Sequence, residues 1–137
     1  MSYEISKVDY YYTTVPDRPD EAYNLLSALS EEGISLLAFA AIPFGPTRTQ
    51  LTLFPDDSLG LEAEASKVGL DLDGPHHALF VRGDDELGAL ARIHDKLSSA
   101  GVNVFASSGV AARGGTFGYV LYVRPEDFDR AVASLDI

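Results

Sequence analysis

The chain has 137 residues, 46% apolar and 23% charged, a mixture that can bury a core and that disordered chains lack. Its formal net charge of −11, from 10 Lys+Arg against 21 Asp+Glu, repels phosphate backbones and anionic bilayers, which argues against nucleic acid and membrane as partners. With no cysteine there is no disulfide, thiolate zinc site, iron–sulfur centre or cysteine nucleophile, and with neither a long apolar run nor a signal-peptide pattern at Met1–Lys7 a cytoplasmic location is expected.

Val8 to Thr14, rich in tyrosine, valine and threonine, predicts a first strand. Pro16-Asp17-Arg18-Pro19-Asp20 breaks it, and Ala22, Leu25, Leu26 and Leu29 recur at helical spacing up to Gly33. Ile34 to Ile42 and Thr47 to Phe54 predict two strands joined by the turn Pro43-Phe44-Gly45-Pro46. Ser58 to Val68 reads as a helix, and Leu70-Asp71-Leu72 as a short closing strand before Gly74-Pro75. The order then recurs. His77 to Arg82 is a strand and Gly83-Asp84-Asp85 a loop, followed by a helix marked by Leu87, Leu90, Ile93 and Leu97 that stops at Gly101. Val102 to Val110 and Phe117 to Arg124 flank the turn Arg113-Gly114-Gly115, and Pro125 opens a last helix. Only Leu135-Asp136-Ile137 then remains for a second closing strand.

An offset of 68 residues places Asp85 over Asp17, Leu97 over Leu29, Gly101 over Gly33, Val102 over Ile34 and Leu121 over Leu53 without a gap. A strand-helix-strand crossover taken twice folds into a four-stranded antiparallel sheet with two helices on one face. The expected class is therefore α+β: two tandem ferredoxin-like βαββαβ sandwiches, residues 1–73 and 74–137. Tyr11, Leu37, Phe39, Phe105, Tyr119 and Tyr122 supply more large side chains than one covered face needs, so association, including a homodimer, is expected.

Val15-Pro16-Asp17-Arg18-Pro19-Asp20-Glu21-Ala22 leads into the first helix and Glu32-Gly33-Ile34-Ser35-Leu36 leaves it. The equivalents in the second half are Gly83-Asp84-Asp85-Glu86-Leu87-Gly88-Ala89-Leu90 and Ala100-Gly101-Val102-Asn103-Val104. These stretches resemble the ACT domain, whose first helix is entered by Asp-x-Pro-Gly-x-Leu and left by Gly-Ile-Asn-Ile. The first half has Asp20 for the glycine and Ser35 for the asparagine of that pattern; the second has Leu87 for the proline. The resemblance implies a non-catalytic regulatory module, without cofactor or metal, that binds a small amino acid and acts on a metabolic enzyme or regulator in trans. It implies ligand-binding roles for Asp17, Arg18, Pro19, Asp20, Ser35, Asp85, Glu86, Leu87, Gly88 and Asn103. A helix front end offers unpaired N–H groups and a positive dipole end to an α-carboxylate, and neighbouring acids can take the ammonium. The same acids are also ordinary first-turn and capping residues.

A second reading is a ligand-free interaction module of the same fold, motivated by Asp20 and Leu87. A third is a metalloenzyme of the vicinal-oxygen-chelate kind, prompted by His76-His77 at a strand start, for which no later strand supplies a well-placed histidine or glutamate. Arg113-Gly114-Gly115-Thr116-Phe117-Gly118 lacks the lysine of a phosphate-binding loop, and Ala106-Ser107-Ser108-Gly109 lacks the pattern of a nucleophilic serine.

Overall fold

Alternation decides the faces of the longest strands. Tyr11, Thr13 and Val15 point to one side of the first strand and are buried, and Leu79 and Val81 do the same later in the chain. The computed structural model describes residues 3–84 and 88–137. In chain order its elements are β1 (Tyr3–Pro16), α1 (Glu21–Glu31), β2 (Leu36–Pro43), β3 (Arg48–Pro55), α2 (Ser58–Val68) and β4 (Asp73–Asp84). They continue with α3 (Ala89–Ser99), β5 (Val104–Ala112), β6 (Thr116–Val123) and α4 (Phe128–Leu135), a 3-10 turn at Pro125–Asp127 leading into the last helix. The chain is thus α+β with antiparallel strand pairing.

It divides into two compact units, Asp9–His76 and Met1–Val8 with His77–Ile137, here called the first and second. In the first, the strands lie in the order β2-β3-β1-β4; in the second, β1-β4-β6-β5. Tyr3–Val8 therefore fills the fourth-strand place of the second unit, for which the sequence had left only Leu135-Asp136-Ile137. Leu135 instead ends α4 and is buried with Ala131, one helical turn earlier.

The core of the first unit joins Tyr11 and Val15 of β1, Leu51 and Leu53 of β3, Leu29 of α1 and Leu61 of α2. That of the second joins Leu79 and Val81 of β4, Leu121 and Val123 of β6, Ile93 and Leu97 of α3, and Ala131 and Leu135 of α4, with Tyr3 and Ile5 packed against them. Each fully buried leucine stabilises by about 2 kcal/mol over an exposed one.

Several details recur at the 68-residue offset. Gly33 and Gly101 both have φ +73. The N–H of Ile34 donates to the Leu29 carbonyl and that of Val102 to the Leu97 carbonyl, both at 2.9 Å, closing the two helices in the same left-handed way. The register of β2 on β3 slips between Leu36 and Ala38, and that of β5 on β6 between Val104 and Ala106. A Cβ at Gly33 or Gly101 meets nothing within 4 Å, so substitution there acts on the backbone alone. Gly33→Ala and Gly101→Ala are each expected to cost about 1 kcal/mol, read as a lowered denaturation midpoint, with closely similar losses at the two positions.

Some boundaries differ from the sequence reading. β1 begins at Tyr3 rather than Val8, because Tyr3 and Ile5 have a core to pack on that lies far along the chain. Leu70-Asp71-Leu72 is not a strand; Leu72 fills the first core from the connection after α2, and β4 starts at Asp73 and runs through Pro75. Gly83 and Asp84 belong to β4 rather than to a loop. Tyr11 and Tyr119 pack on the helix-facing cores instead of a bare sheet face.

Candidate functional site

The turn between β1 and α1 is held from two sides. The Asp17 N–H donates to the Thr47 carbonyl at 2.9 Å, tying the turn to the β2–β3 hairpin, and Arg48 Nη2 donates to the Thr14 carbonyl at 2.9 Å. Within the turn, the Arg18 N–H donates to the Pro16 carbonyl at 2.9 Å, and the Arg18 guanidinium lies 3.9 Å from the Glu21 carboxylate. Asp17, Arg18, Pro19 and Asp20 are all exposed.

Asp20 stands at the N-cap of α1, but its carboxylate makes no capping bond. The Glu21 N–H reaches the Arg18 carbonyl at 3.4 Å and the Asn24 N–H closes the first helical bond to Asp20 at 2.9 Å, which leaves the Ala22 and Tyr23 amides without an acceptor among the described residues. Two free amides at the positive end of a helix, with the Asp17 and Asp20 carboxylates close by in sequence, suit a carboxylate and an ammonium respectively.

Ser35 is not brought to this place. It follows the other end of α1, an 11-residue helix about 16 Å long. There the Ser35 N–H donates to Asp56 Oδ1 at 3.1 Å, and the Asp56 N–H returns a bond to the Ser35 carbonyl at 2.9 Å. In the second unit Gly88 and Asn103 likewise flank opposite ends of α3. Gly88 is the N-cap, with φ +86, and its carbonyl accepts from the Arg92 N–H at 2.9 Å; Asn103 is exposed before β5. Asp85, Glu86 and Leu87 lie outside the described residues.

The three histidines do not converge. His76 Nε2 lies 3.1 Å from Asp73 Oδ1 and stacks by Tyr10 and Tyr12, His77 packs by Phe128, and His94 Nε2 lies 3.0 Å from the Tyr119 hydroxyl. Among the described residues no three His, Asp or Glu side chains gather where they could hold a metal ion.

Two features were not read from the sequence. One is a hollow of about 320 Å³ in the first unit, walled by Tyr12, Thr14, Phe44, Gln50, Asp71 and Asp73; the alternation of Asp71 and Asp73 beside a strand was its only local signal. The other is a polar group between β1 and α2. The Tyr11 hydroxyl donates to Glu62, and the Ser58 hydroxyl donates to Asp9 at 3.0 Å, Ser58 and Glu62 lying one helical turn apart.

Burial, and then the bond to Glu62, push the Tyr11 phenol up to about 12 from its ordinary 10. The folded state therefore keeps a proton that the unfolded chain releases near pH 10. This contribution to stability is complete below pH 10 and is lost as the pH rises from 10 to about 12. Denaturation followed from pH 9 to 12 is expected to show a steeper alkaline loss in the native chain than in Tyr11→Phe; equal slopes would refute the assignment.

No family model matches the chain, and no curated protein matches it. Its fold is similar to that of a Bacteroides thetaiotaomicron protein, BT0572, at TM-score 0.78 and 16% identity, covering 98% of this chain and 88% of that one. It is also similar to the ligand-free regulatory subunit of aspartate kinase from Thermus thermophilus, at TM-score 0.67 and 16% identity, covering 99% and 95%. The regulatory subunit of aspartate kinase from Thermus flavus matches at TM-score 0.58 and 17% identity, covering 99% and 95%. The chain thus has an ACT-like α+β fold.

Proposed function

We propose that this chain is a non-catalytic regulatory protein that binds a small amino acid and passes the signal to a separate partner, a metabolic enzyme or regulator. The observation that carries the reading is the front of α1, where the Ala22 and Tyr23 amides have no acceptor among the described residues and Asp20 leaves them uncapped. An α-carboxylate there completes the helix, and Asp17 or Asp20 takes the ammonium. The likeness in fold to aspartate kinase regulatory subunits supports the same direction. In this reading the two units are tandem ACT-like modules, supported by the matching glycine stops and strand slips, with Tyr3–Val8 completing the second. Regulation then requires the ligand to bind one conformational or assembly state better than another.

Calorimetric titration of the proteinogenic amino acids tests this. At least one is expected to bind, and Asp17→Asn with Asp20→Asn is expected to weaken it about tenfold while the melting temperature stays close to native. A flat response from folded protein refutes ligand binding.

A second reading, an interaction module of the same fold, is favoured by the edge strands. Leu37, Phe39 and Ile42 on β2 are 45%, 37% and 49% exposed, and Phe105 and Val110 on β5 are 51% and 73% exposed. Exposed apolar side chains on unpaired edges suit a second copy, so a homodimer belongs to both readings. Sedimentation at micromolar concentration separates dimer from monomer, and a dimer with no amino-acid response favours the module.

A further inference from the structure

On the sheet face turned away from α1 and α2, the first unit holds the hollow of about 320 Å³, within the range of small-molecule sites. Strand alternation gives it walls from one face only. Tyr11 and Val15 of β1 and Leu51 of β3 point into the core, so Tyr12, Thr14 and Gln50, which stands opposite Thr14, point the other way. Phe44, from the turn between β2 and β3, closes one side.

The acids reach the same face. Leu72 packs against the first core, which leaves its neighbours Asp71 and Asp73 on the far side of the connection. The contacts of Asp73 agree, since its Oδ1 lies 3.1 Å from His76 Nε2 and the His76 ring stacks by Tyr12. Thr13 and Leu72 border the hollow but turn their side chains to the core, so neither is asked to touch a ligand.

The charge of the walls decides what fits. They offer two carboxylates, an amide, two hydroxyls and two aromatic rings, and among the described residues no lysine or arginine lines the hollow. Arg48 is turned to Thr14, its guanidinium donating to the carbonyl at 2.9 Å and to the hydroxyl at 3.3 Å. The Asp71 carboxylate, the Gln50 amide and the Tyr12 hydroxyl have no hydrogen-bond partner among the described residues. Two acids with unused oxygens draw a cation and repel a carboxylate or a phosphate, the more so in a chain of net charge −11. Calcium takes about six to eight oxygens at close range, and among the described residues no three His, Asp or Glu side chains gather to hold a metal, whereas aromatic rings beside acids suit an organic cation.

We propose that this hollow binds a small organic amine that carries no carboxylate. Asp71 and Asp73 take the ammonium, Gln50 and the Tyr12 hydroxyl accept its remaining N–H groups, and the apolar part lies on the rings of Phe44 and Tyr12. The site is separate from the front of α1 and does not depend on amino-acid binding there.

The test is calorimetric titration of phenethylamine into the native chain, Asp71→Asn, Phe44→Ala and the Asp17→Asn/Asp20→Asn variant, with L-phenylalanine as the same ring and ammonium carrying a carboxylate. The amine is expected to bind the native chain. Asp71→Asn and Phe44→Ala, both at exposed positions, are expected to keep the native melting temperature and to weaken the amine at least about tenfold and about threefold respectively. Asp17→Asn/Asp20→Asn should leave the amine unaffected, and Asp71→Asn should not weaken L-phenylalanine held at the front of α1. Absence of amine binding to the native chain, or binding that Asp71→Asn leaves intact, overturns this site and leaves the proposed function standing. Amine binding that Asp71→Asn removes, in a chain that answers to no amino acid, supports the site and refutes the amino-acid reading.

Discussion

A chain lacking residues 1–8 is expected to lose at least about 3 kcal/mol from its second unit, because Tyr3 and Ile5 leave the core around Leu79, Val81 and Leu121. The loss is not only apolar. Removing Tyr3–Val8 also strips β4 of the strand beside it and exposes a row of N–H and C=O groups. Hydrogen exchange should quicken at Leu79–Asp84, and the urea transition should move to lower concentration. Asp9–Pro16 of β1 stays in the first unit, where it pairs with β3, so amides of Tyr11–Val15 should be slowed much as before. In the uncut chain Ile5→Asp should act in the same direction with a smaller effect. Unchanged protection at Leu79–Asp84 after the cut would refute a structural role for the segment.

Leu53→Ala and Leu121→Ala should each cost about 3 kcal/mol, since both side chains are 0% exposed and sit at the same place on β3 and β6. Their cores are built alike from two strands and two helices, so the two costs are expected to agree within about 1 kcal/mol. Chemical denaturation of the two variants measures this. A large difference would mean that matching positions in the chain do not carry matching packing.

Elements whose pattern is local were readable from the residues. Ser58–Val68 is a helix between the bounds its sequence suggests, with Asp57 accepting from the Gly60 N–H at the front and Gly69 left-handed at the end, both common devices. The hairpins around Gly45 and Gly114-Gly115 follow from residues that accept positive φ. Features fixed by distant partners were not readable. Three tyrosines in a row at Tyr10–Tyr12 carry no phase of their own, and only their pairing with β3, Tyr11 opposite Leu53, turns Tyr11 inward. Tyr3-Glu4-Ile5-Ser6-Lys7 alternates weakly, and nothing near it in the chain reveals that β4 will lie alongside.

The candidate site divides along the same line. Asp17–Asp20 were legible as the turn into a helix, because proline and aspartate stop a strand and start a helix for local reasons. That the Asp20 carboxylate would leave the Ala22 and Tyr23 amides open was not, since an aspartate at that position ordinarily closes them. Ser35 was grouped with the turn by resemblance, whereas the length of α1 keeps them apart within one unit. The hollow beside Asp71 joins residues 12–14, 44, 50 and 71–73, a set that no window of the chain contains.

The division of β1 between two units also sets an order of events at the ribosome. Tyr3–Val8 leaves the exit tunnel before any of the strands it will join has been translated, and α4, which closes that core, emerges about 130 residues later. At ordinary elongation speeds that interval is roughly 10 s, during which the first unit can already be complete. Tyr3–Val8 therefore stays an unsatisfied strand until β4 and the elements after it have followed, and slow codons over β4 to α4 prolong its exposure to chaperones and proteases.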